Sequence, residues 1–281
     1  MNAIEIKDLC KNYPTFAISN LNLTLPTGCV LGLVGENGAG KSTTMKLILD
    51  IVHADKGSVT VLGRDNKANM KLIKEEIGIV PDEVGLPVGL NSLQIGRIMK
   101  GSFRRWDDKA YCDYLRRFHI PNETKFGDYS RGMKMKLGIA VALSHHPRLL
   151  ILDEPTSGLD PLARDGLLNL LTEYTRDERN SILISSHIVS DLEKICDYIA
   201  FLHKGRLLLC DEKDRLLERY GVIRCTAQEF NNINKAAVIG KKESPYGVEA
   251  IAERRLIPKN IDVKPVDIEQ LFVSMVKEDG V

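Results

Sequence analysis

Residues 35–42 read GENGAGKS, and their types and spacing carry the clearest chemistry in the sequence. The stretch fits the pattern G-x-x-x-x-G-K-[ST], and it stands between a continuous apolar run and an amphipathic helical pattern. Small residues let the backbone wrap around phosphates, so that several N–H groups point inward at the start of a helix. In this arrangement Lys41 reaches the β- and γ-phosphates, and the Ser42 hydroxyl ligates Mg²⁺. The predicted nucleotide-binding residues are Gly35, Asn37, Gly38, Ala39, Gly40, Lys41, Ser42 and Thr43.

A phosphate-binding loop requires a second, acidic site for the metal and the attacking water, and the stretch LLILDE at 149–154 supplies it. Four apolar residues predict a buried strand. Asp153 and Glu154 follow at its carboxyl end, which is where open α/β sheets bind ligands. We expect Asp153 to hold Mg²⁺ through water, and Glu154 to polarise the water that attacks the γ-phosphate. Without the loop at 35–42, such a pair would be an ordinary strand-to-loop transition.

A polar turn, Ser130-Arg131-Gly132, stands directly before a long apolar helical run. One interpretation is a helix cap, since a Ser hydroxyl that accepts a backbone N–H commonly begins a helix. The other interpretation is an anion site, because an open helix start favours negative charge. The residues of the turn leave both interpretations open.

The elements that must position these residues follow an alternating order. Strand and helix patterns alternate over the first hundred residues and again at 148–211, which indicates an α/β fold with a mixed, mostly parallel sheet. The apolar run at 29–35 is typical of a strand buried on both faces, and the helix after it is predicted over 42–52. Residues from about 88 to 147 read as helical, so we expect an α-helical subdomain there.

The last part of the chain has weaker patterns, with a few short strands and a final helix. Asp267 and Gln270 have the spacing of a capping box, and an apolar helical stripe follows them. We therefore predict a main domain at 1–220 and a small α+β appendage at 221–281.

The composition argues against several classes of protein. Lys and Arg number 39 against 38 Asp and Glu, and this balance argues against a general nucleic-acid binder. The six cysteines form no C-x-x-C pair, which indicates core residues in a reducing compartment. The N-terminus lacks the apolar core of a signal peptide, and no stretch approaches the ~18 apolar residues that span a bilayer. We expect a cytosolic chain that does not itself cross a membrane.

Together the motifs resemble those of an ABC-type ATPase, the nucleotide-binding subunit of an ABC transporter. The glycine-rich loop, YSRGM at 129–133, LLILDEPTSGLD at 149–160 and SSH at 185–187 occur in the order and spacing of that family. The resemblance covers about residues 1–215. It implies a P-loop NTPase fold with ATP and Mg²⁺ as cofactors.

The resemblance also implies roles for residues outside the glycine-rich loop. Tyr13 matches the aromatic residue that stacks on adenine, and His187 matches the histidine that contacts the γ-phosphate. Asp160 matches the aspartate that connects the sites of two subunits. Ser130 and Gly132 match residues that bind the ATP held by a partner chain, so that two ATP molecules lie at a dimer interface.

Two positions depart from the family pattern. Where the family has Gln, to contact Mg²⁺ and the attacking water, this chain has Asp82. A carboxylate can also ligate the metal, but it adds negative charge beside the phosphates, so we expect stronger Mg²⁺ dependence or slower turnover. Arg131 replaces the usual Gly, and its cation would attract the partner's phosphate or contact the partner's surface.

The same stretches resemble the ATPases of bacterial two-component exporters, in which a separate membrane subunit carries antibiotics or antimicrobial-type peptides. The resemblance implies a motor that pairs with a second ATPase subunit, identical or not, and drives a membrane permease. The chain would lie on the cytoplasmic face of the membrane, with its helices at about 88–128 against the permease and no nucleic-acid partner. One alternative is a regulatory ABC ATPase acting on ribosomes or DNA, which the single cassette disfavours, and another is a P-loop kinase or GTPase.

Overall fold

The computed structural model describes residues 1–245 and 247–278, which form three β-sheets with helices packed between and around them. The strands are β1 (Asn2–Asn12), β2 (Ala17–Pro26), β3 (Val30–Val34), β4 (Lys56–Val61), β5 (Arg64–Asp65), β6 (Ile77–Val80), β7 (Leu149–Asp153), β8 (Ser181–Ser186), β9 (Tyr198–His203), β10 (Arg206–Glu212), β11 (Tyr220–Cys225), β12 (Val238–Ser244), β13 (Gly247–Glu253) and β14 (Val263–Lys264). The helices are α1 (Lys41–Ile48), α2 (Asn66–Ile73), α3 (Ser92–Ser102), α4 (Asp108–Arg117), α5 (Arg131–Leu143), α6 (Pro161–Tyr174), α7 (Val189–Ile195), α8 (Lys213–Arg219), α9 (Ala227–Asn231) and α10 (Ile268–Glu278).

The central sheet has the strand order β10-β9-β3-β8-β7-β6. Its neighbouring strands pair in parallel, except that β10 pairs antiparallel with β9 at one edge. The sheet is therefore mixed, as the sequence predicts. Every residue of β3 and β7 is buried, because α5, α6 and α7 pack on one face while α1 and the first sheet pack on the other. The carboxyl ends of β3, β7 and β8 therefore lie at one edge of the sheet. The residues predicted to bind nucleotide and metal follow these strand ends.

The first sheet is antiparallel, with the order β2-β1-β4-β5. Alternate residues of β2 are buried, since one face of this sheet packs on the core and the other faces water. The buried face includes Ile4, Ile6 and Leu23, which share a core with Leu33 and Met45. The sheet thus supports β3 and α1, the two elements that flank the glycine-rich loop.

The helix after the glycine-rich loop is shorter than predicted. The sequence pattern continues to residue 52, but α1 ends at Ile48, and Asp50 adopts a φ of 51°. Leu49 and Val52 still pack against the same core as Met45, so their apolar side chains follow the helix without belonging to it. The prediction of a helix through residue 52 is therefore wrong at its end.

The segment between β6 and β7 is helical, in agreement with the sequence pattern. Helices α3, α4 and α5 share a core that includes Ile95, Tyr111, Leu115 and Leu137. Over 88–147 the structure has no strand beyond a single isolated bridge. A core of its own makes this segment a separate packing unit on the central sheet.

The C-terminal strands form a third sheet, with the order β12-β13-β11-β14. Asp267 and Gln270 make the reciprocal bonds of a capping box: each backbone N–H donates to the other residue's side-chain oxygen, at 3.3 and 2.7 Å. Phe272 on α10 packs against Phe201 of the central sheet, with ring centroids 5.3 Å apart. The boundary at residue 220 stays a prediction, since this sheet is separate but shares a core with the rest of the chain.

Candidate functional site

The glycine-rich loop connects the end of β3 to the start of α1, and its glycines fit where a side chain would not. A Cβ on Gly35 would lie 2.6 Å from the Leu202 carbonyl oxygen, so only glycine is accommodated without movement. Gly38 and Gly40 have φ values of 83° and 110°, in the region that favours glycine. Gly40 directly precedes α1, which leaves the N–H groups of the first helical turn open at the loop.

Lys41 places its ammonium group inside the loop. Its Nζ donates to the Gly35 carbonyl oxygen at 2.7 Å and lies 3.4 Å from Oε1 of Glu154. The side chain is 7% exposed, so it forms the buried floor of the loop. Ser42 is exposed and Thr43 half-buried, on the first turn of α1. The loop thus brings backbone N–H groups and one cation together, with Ser42 and Thr43 on the adjoining helical turn, as phosphate binding requires.

Asp153 and Glu154 emerge from β7 beside this loop, and a serine on the neighbouring strand holds them. Ser185 donates its hydroxyl to Oδ1 of Asp153 at 2.6 Å, and its oxygen accepts the backbone N–H of Glu154 at 3.0 Å. Glu154 has a φ of 52°, an uncommon conformation for a side chain of this kind. Strained backbone of this sort clusters at functional sites, and it aims Glu154 back toward the loop.

Glu154 also binds His187, which follows β8. Nδ1 of His187 lies 2.6 Å from Oε2 of Glu154, and the histidine's backbone N–H donates to the same oxygen at 3.1 Å. The two carboxylate oxygens therefore divide their contacts, one facing Lys41 and the other facing His187. The imidazole is half exposed, so it lies at the open side of the site. A carboxylate held between a lysine and a histidine can act as a general base for water.

The oxygen donors present suit Mg²⁺, which takes one or two carboxylates together with substrate phosphates and water. Ser42 offers an exposed hydroxyl, and Asp153 offers a carboxylate whose orientation Ser185 fixes. The described residues contain no cluster of three or more His, Cys, Asp or Glu side chains that could hold a metal unaided. Ser42 and Asp153 alone would leave the remaining ligand positions of Mg²⁺ to phosphates and water.

Asp82, the third predicted metal ligand, has a partner elsewhere in this structure. Its Oδ1 accepts from Nη2 of Arg131 at 2.5 Å, with both side chains about half exposed. The loop after β6 is thereby joined to the first residue of α5. The role of Asp82 as a metal ligand stays a prediction. We expect Arg131 from the sequence to contact a partner chain, and the contact that this structure shows is with Asp82 of its own chain.

Tyr13 lies in the loop between β1 and β2 and is exposed. Its backbone N–H donates to the Phe16 carbonyl oxygen at 2.8 Å, and the two rings lie 6.5 Å apart. Phe16 in turn touches the glycine-rich loop, since a Cβ on Gly40 would lie 2.8 Å from its ring. This aromatic pair forms a surface beside the loop that suits the face of a base. The aromatic surface here includes Phe16, which no sequence motif marks.

Ser130, Gly132 and Asp160 lie together on another part of the surface. Ser130 caps α5 by accepting the Met133 backbone N–H at 3.2 Å, which confirms the helix-cap interpretation of the turn. A Cβ on Gly132 would approach Leu159 to 3.1 Å, which joins the turn to the segment before α6. Asp160 caps α6, and the amides of Ala163 and Leu162 lower the pKa of its carboxyl. Binding of a partner's ATP at this turn stays a prediction.

The contacts of the site that the sequence does not predict join residues far apart in the chain. Ser185 is part of the quoted SSH motif, but its bond to Asp153 joins residues 32 positions apart. The pair of Asp82 and Arg131 spans 49 positions. Strand order brings such residues together, and no local spacing in the sequence encodes it. Ser185 could have been found by asking which hydroxyl on the adjacent strand end reaches the acidic pair.

The chain is similar to proteins of one family. Residues 18–157 match the family described as ABC transporter. The bacitracin transport ATP-binding protein BcrA from Enterococcus faecalis is 35% identical over 73% of this chain and 68% of its own length. The lantibiotic transport ATP-binding protein SrtF from Streptococcus pyogenes is 34% identical over 75% of this chain and 91% of its own. A solved ATP-binding subunit of an ABC transporter has a TM-score of 0.70 and 28% identity, over 76% of this chain and 91% of that one.

Proposed function

Because the chain belongs to the ABC transporter family of ATP-binding proteins and is an ATPase, we propose that it drives export of antimicrobial-type peptides through a separate membrane permease. The relatives just described are transport proteins by name, which favours this function over regulation of ribosomes or DNA. Their names give bacitracin and lantibiotics as the compounds transported. The proposed cargo class is therefore an antibiotic peptide.

The contact of Glu154 with both Lys41 and His187 supports the proposed mechanism of ATP hydrolysis. Lys41 and the loop amides would bind the phosphates, and Glu154 would take a proton from the attacking water as His187 contacts the γ-phosphate. Tyr13 would stack on adenine, and Ser42 and Asp153 would hold Mg²⁺. When bound, Mg²⁺ neutralises phosphate charge and orients the transferring group.

The proposed assembly is a dimer in which each chain completes the site of the other. Ser130 and Gly132 present the N-terminus of α5, and this 13-residue helix offers a favourable dipole to a phosphate. Asp160 caps the neighbouring helix α6 from the same surface. Two ATP molecules would then lie between two ATPase subunits, identical or not, and hydrolysis would let them separate.

The proposed permease contact is made by the helices at about 88–128 together with a cleft of about 300 Å³ between the helical segment and the edge of the central sheet. It is lined by Ile79 on the edge strand β6, by Glu75, and by Phe103, whose ring stacks on His145 at 4.0 Å. Ile79 is 36% exposed, which leaves apolar surface for a partner. In the part of the chain that the structure describes, no helix is long and apolar enough to cross a membrane. In this proposal the chain lies on the inner face of the membrane, held there by the permease.

The test of hydrolysis compares Glu154→Gln with Glu83→Gln, a change at an exposed carboxylate on the loop after β6. We expect Glu154→Gln to lower turnover by roughly 100-fold or more while ATP binding persists, because a general base is lost. With saturating ATP and Mg²⁺ it should also accumulate as a dimer in light scattering. A Glu154→Gln variant that hydrolyses ATP like Glu83→Gln would refute the assignment.

The test of export uses cells that express this chain together with a candidate membrane permease. We expect the inhibitory concentration of bacitracin or of a lantibiotic to rise, and to stay low when the chain carries Glu154→Gln. If the wild-type pair changes resistance to neither peptide, the cargo proposal is wrong, while the ATPase assignment is unaffected.

A further inference from the structure

Arg131 and Asp82 form an ion pair between two segments that are distant in the sequence. Nη2 of Arg131 lies 2.5 Å from Oδ1 of Asp82, and their side chains are 56% and 49% exposed. Arg131 is the first residue of α5, directly after the cap Ser130, whereas Asp82 lies two residues beyond the end of β6. The contact therefore ties the start of α5 to a loop that leaves the central sheet.

Asp82 emerges at the same edge of the sheet as the acidic pair of the proposed site. Strands β6 and β7 are parallel neighbours, with Val80 opposite Leu152, so Asp82 and the pair Asp153–Glu154 follow adjacent strand ends. Three carboxylates at one edge would repel one another and any phosphate bound there. Lys41 already lies against Glu154. The cation that offsets Asp82 is Arg131.

The stem of Arg131 also passes close to the segment before α6. A Cβ on Gly158 would lie 3.2 Å from Cδ of Arg131, so the arginine stem passes over a residue that has no side chain to obstruct it. Gly158 has a φ of 75°, which favours glycine in any case. The turn at 130–132, the segment before α6 and the loop after β6 thus meet at one arginine.

We propose that Arg131 is a positioning residue of the ATPase site, one that neutralises Asp82 and couples the loop after β6 to the turn at 130–132. The inference rests on the proposed function, in which the acidic pair at the strand end beside Asp82 belongs to the chain's own nucleotide site and the turn serves the partner's. The ion pair then links the two ATP sites of a dimer through a single chain. The ligand whose binding it adjusts is a magnesium nucleoside triphosphate.

The test is a cycle of Arg131→Gln, Asp82→Asn and the double variant, made in the full-length chain. Two quantities are measured: the KM for MgATP, and the Kd of a fluorescent ATP analogue in a titration that requires no turnover. Arg131→Gln alone should raise both by roughly fivefold, the effect of one uncompensated charge near phosphates in a solvated site. Asp82→Asn added to it should restore both to within about twofold of the wild-type values, with kcat changing less than KM.

A matched control removes an arginine from an ion pair of similar exposure elsewhere. Arg117 binds Glu173 at 3.1 Å, with side chains 46% and 54% exposed, so Arg117→Gln should leave KM and Kd unchanged. Melting temperatures should stay equal across the whole set, because exposed ion pairs contribute little to stability. A purely structural role for Arg131 would instead lower the melting temperature without moving KM.

Two results would overturn the proposal. One is an unchanged Kd in Arg131→Gln. The other is a raised Kd that Asp82→Asn does not rescue, because Arg131 would then act on a phosphate directly or independently of Asp82. Failure of the proposed function has a different signature: the wild-type chain with its permease would change resistance to neither peptide, while the nucleotide titrations would still report whether the two residues are coupled.

Discussion

The hydroxyl of Ser185 holds the carboxylate of Asp153, with 2.6 Å between the two oxygens. The same hydroxyl oxygen accepts the backbone N–H of Glu154, so a single side chain on β8 fixes both acidic residues at the end of β7. Ser185 is fully buried, and water therefore cannot replace these bonds without rearrangement. Neighbouring parallel strands make this possible, since Asp153 and Ser185 are opposite each other in the sheet.

We predict that Ser185→Ala lowers ATP turnover by roughly tenfold, because losing a buried bond of this kind costs about 1–3 kcal/mol. Ser186→Ala is the matched control, since that hydroxyl accepts the Ile188 backbone N–H and contacts neither acidic residue. Steady-state hydrolysis at saturating MgATP measures the effect. Equal turnover in the two variants would show that Ser185 does not position the acidic pair.

The local parts of the site could be predicted from the sequence, and the contacts between them could not. The glycine-rich loop, the apolar strand before it and the cap at Ser130 each depend on residues only a few positions apart. The end of α1 could not be predicted, because the apolar pattern continues past Asp50, where the backbone turns. The bonds of Ser185 and of Arg131 depend on which strands and loops become neighbours, and that order is a property of the whole core.

His145 is predicted to make the protein less stable in mild acid. It is buried against Phe103 and bonded to the Ile77 carbonyl oxygen at 2.9 Å, and burial lowers the pKa of its imidazole below the ordinary 6.5. The unfolded chain therefore binds a proton more readily than the folded one. Stability is fully present above pH 6.5 and decreases as the pH falls from 6.5 through the folded-state pKa.

Urea unfolding of the wild type, His145→Gln and His119→Asn at several pH values between 5 and 8 checks this. The free energy of unfolding should depend less on pH in His145→Gln, whereas His119→Asn, at an exposed position with a φ of 55°, should follow the wild type. Glu75 and His146 are the titratable neighbours that act on the same imidazole. Parallel pH profiles in all three proteins would contradict the prediction.

The cysteines are predicted to react with thiol reagents in an order set by exposure. Burial raises the pKa of Cys196, which is fully enclosed beside Gly32, and raises the pKa of Cys210 to about 11. A raised pKa leaves less thiolate at a given pH, and the thiolate is the reactive form.

Cys112 is exposed, so it should be labelled first at pH 8. Mass spectrometry after brief alkylation identifies the site, and Cys112→Ser should remove the fast phase. Labelling of Cys196 in the folded protein at the rate of Cys112 would contradict the burial argument.

Asp160 is predicted to have two separable roles, because both amides that it caps donate to the same oxygen, Oδ1, at 3.1 and 3.0 Å. Asn caps helices about as well as Asp, so Asp160→Asn should keep the wild-type melting temperature, whereas Asp160→Ala should lower it by a few degrees. If the carboxylate charge also serves the contact between subunits, both variants should lose ATP turnover several-fold. Thermal unfolding and hydrolysis measured on the same samples separate the two effects. Full turnover in Asp160→Asn would reduce Asp160 to a helix cap and would remove its proposed role between the two ATP sites.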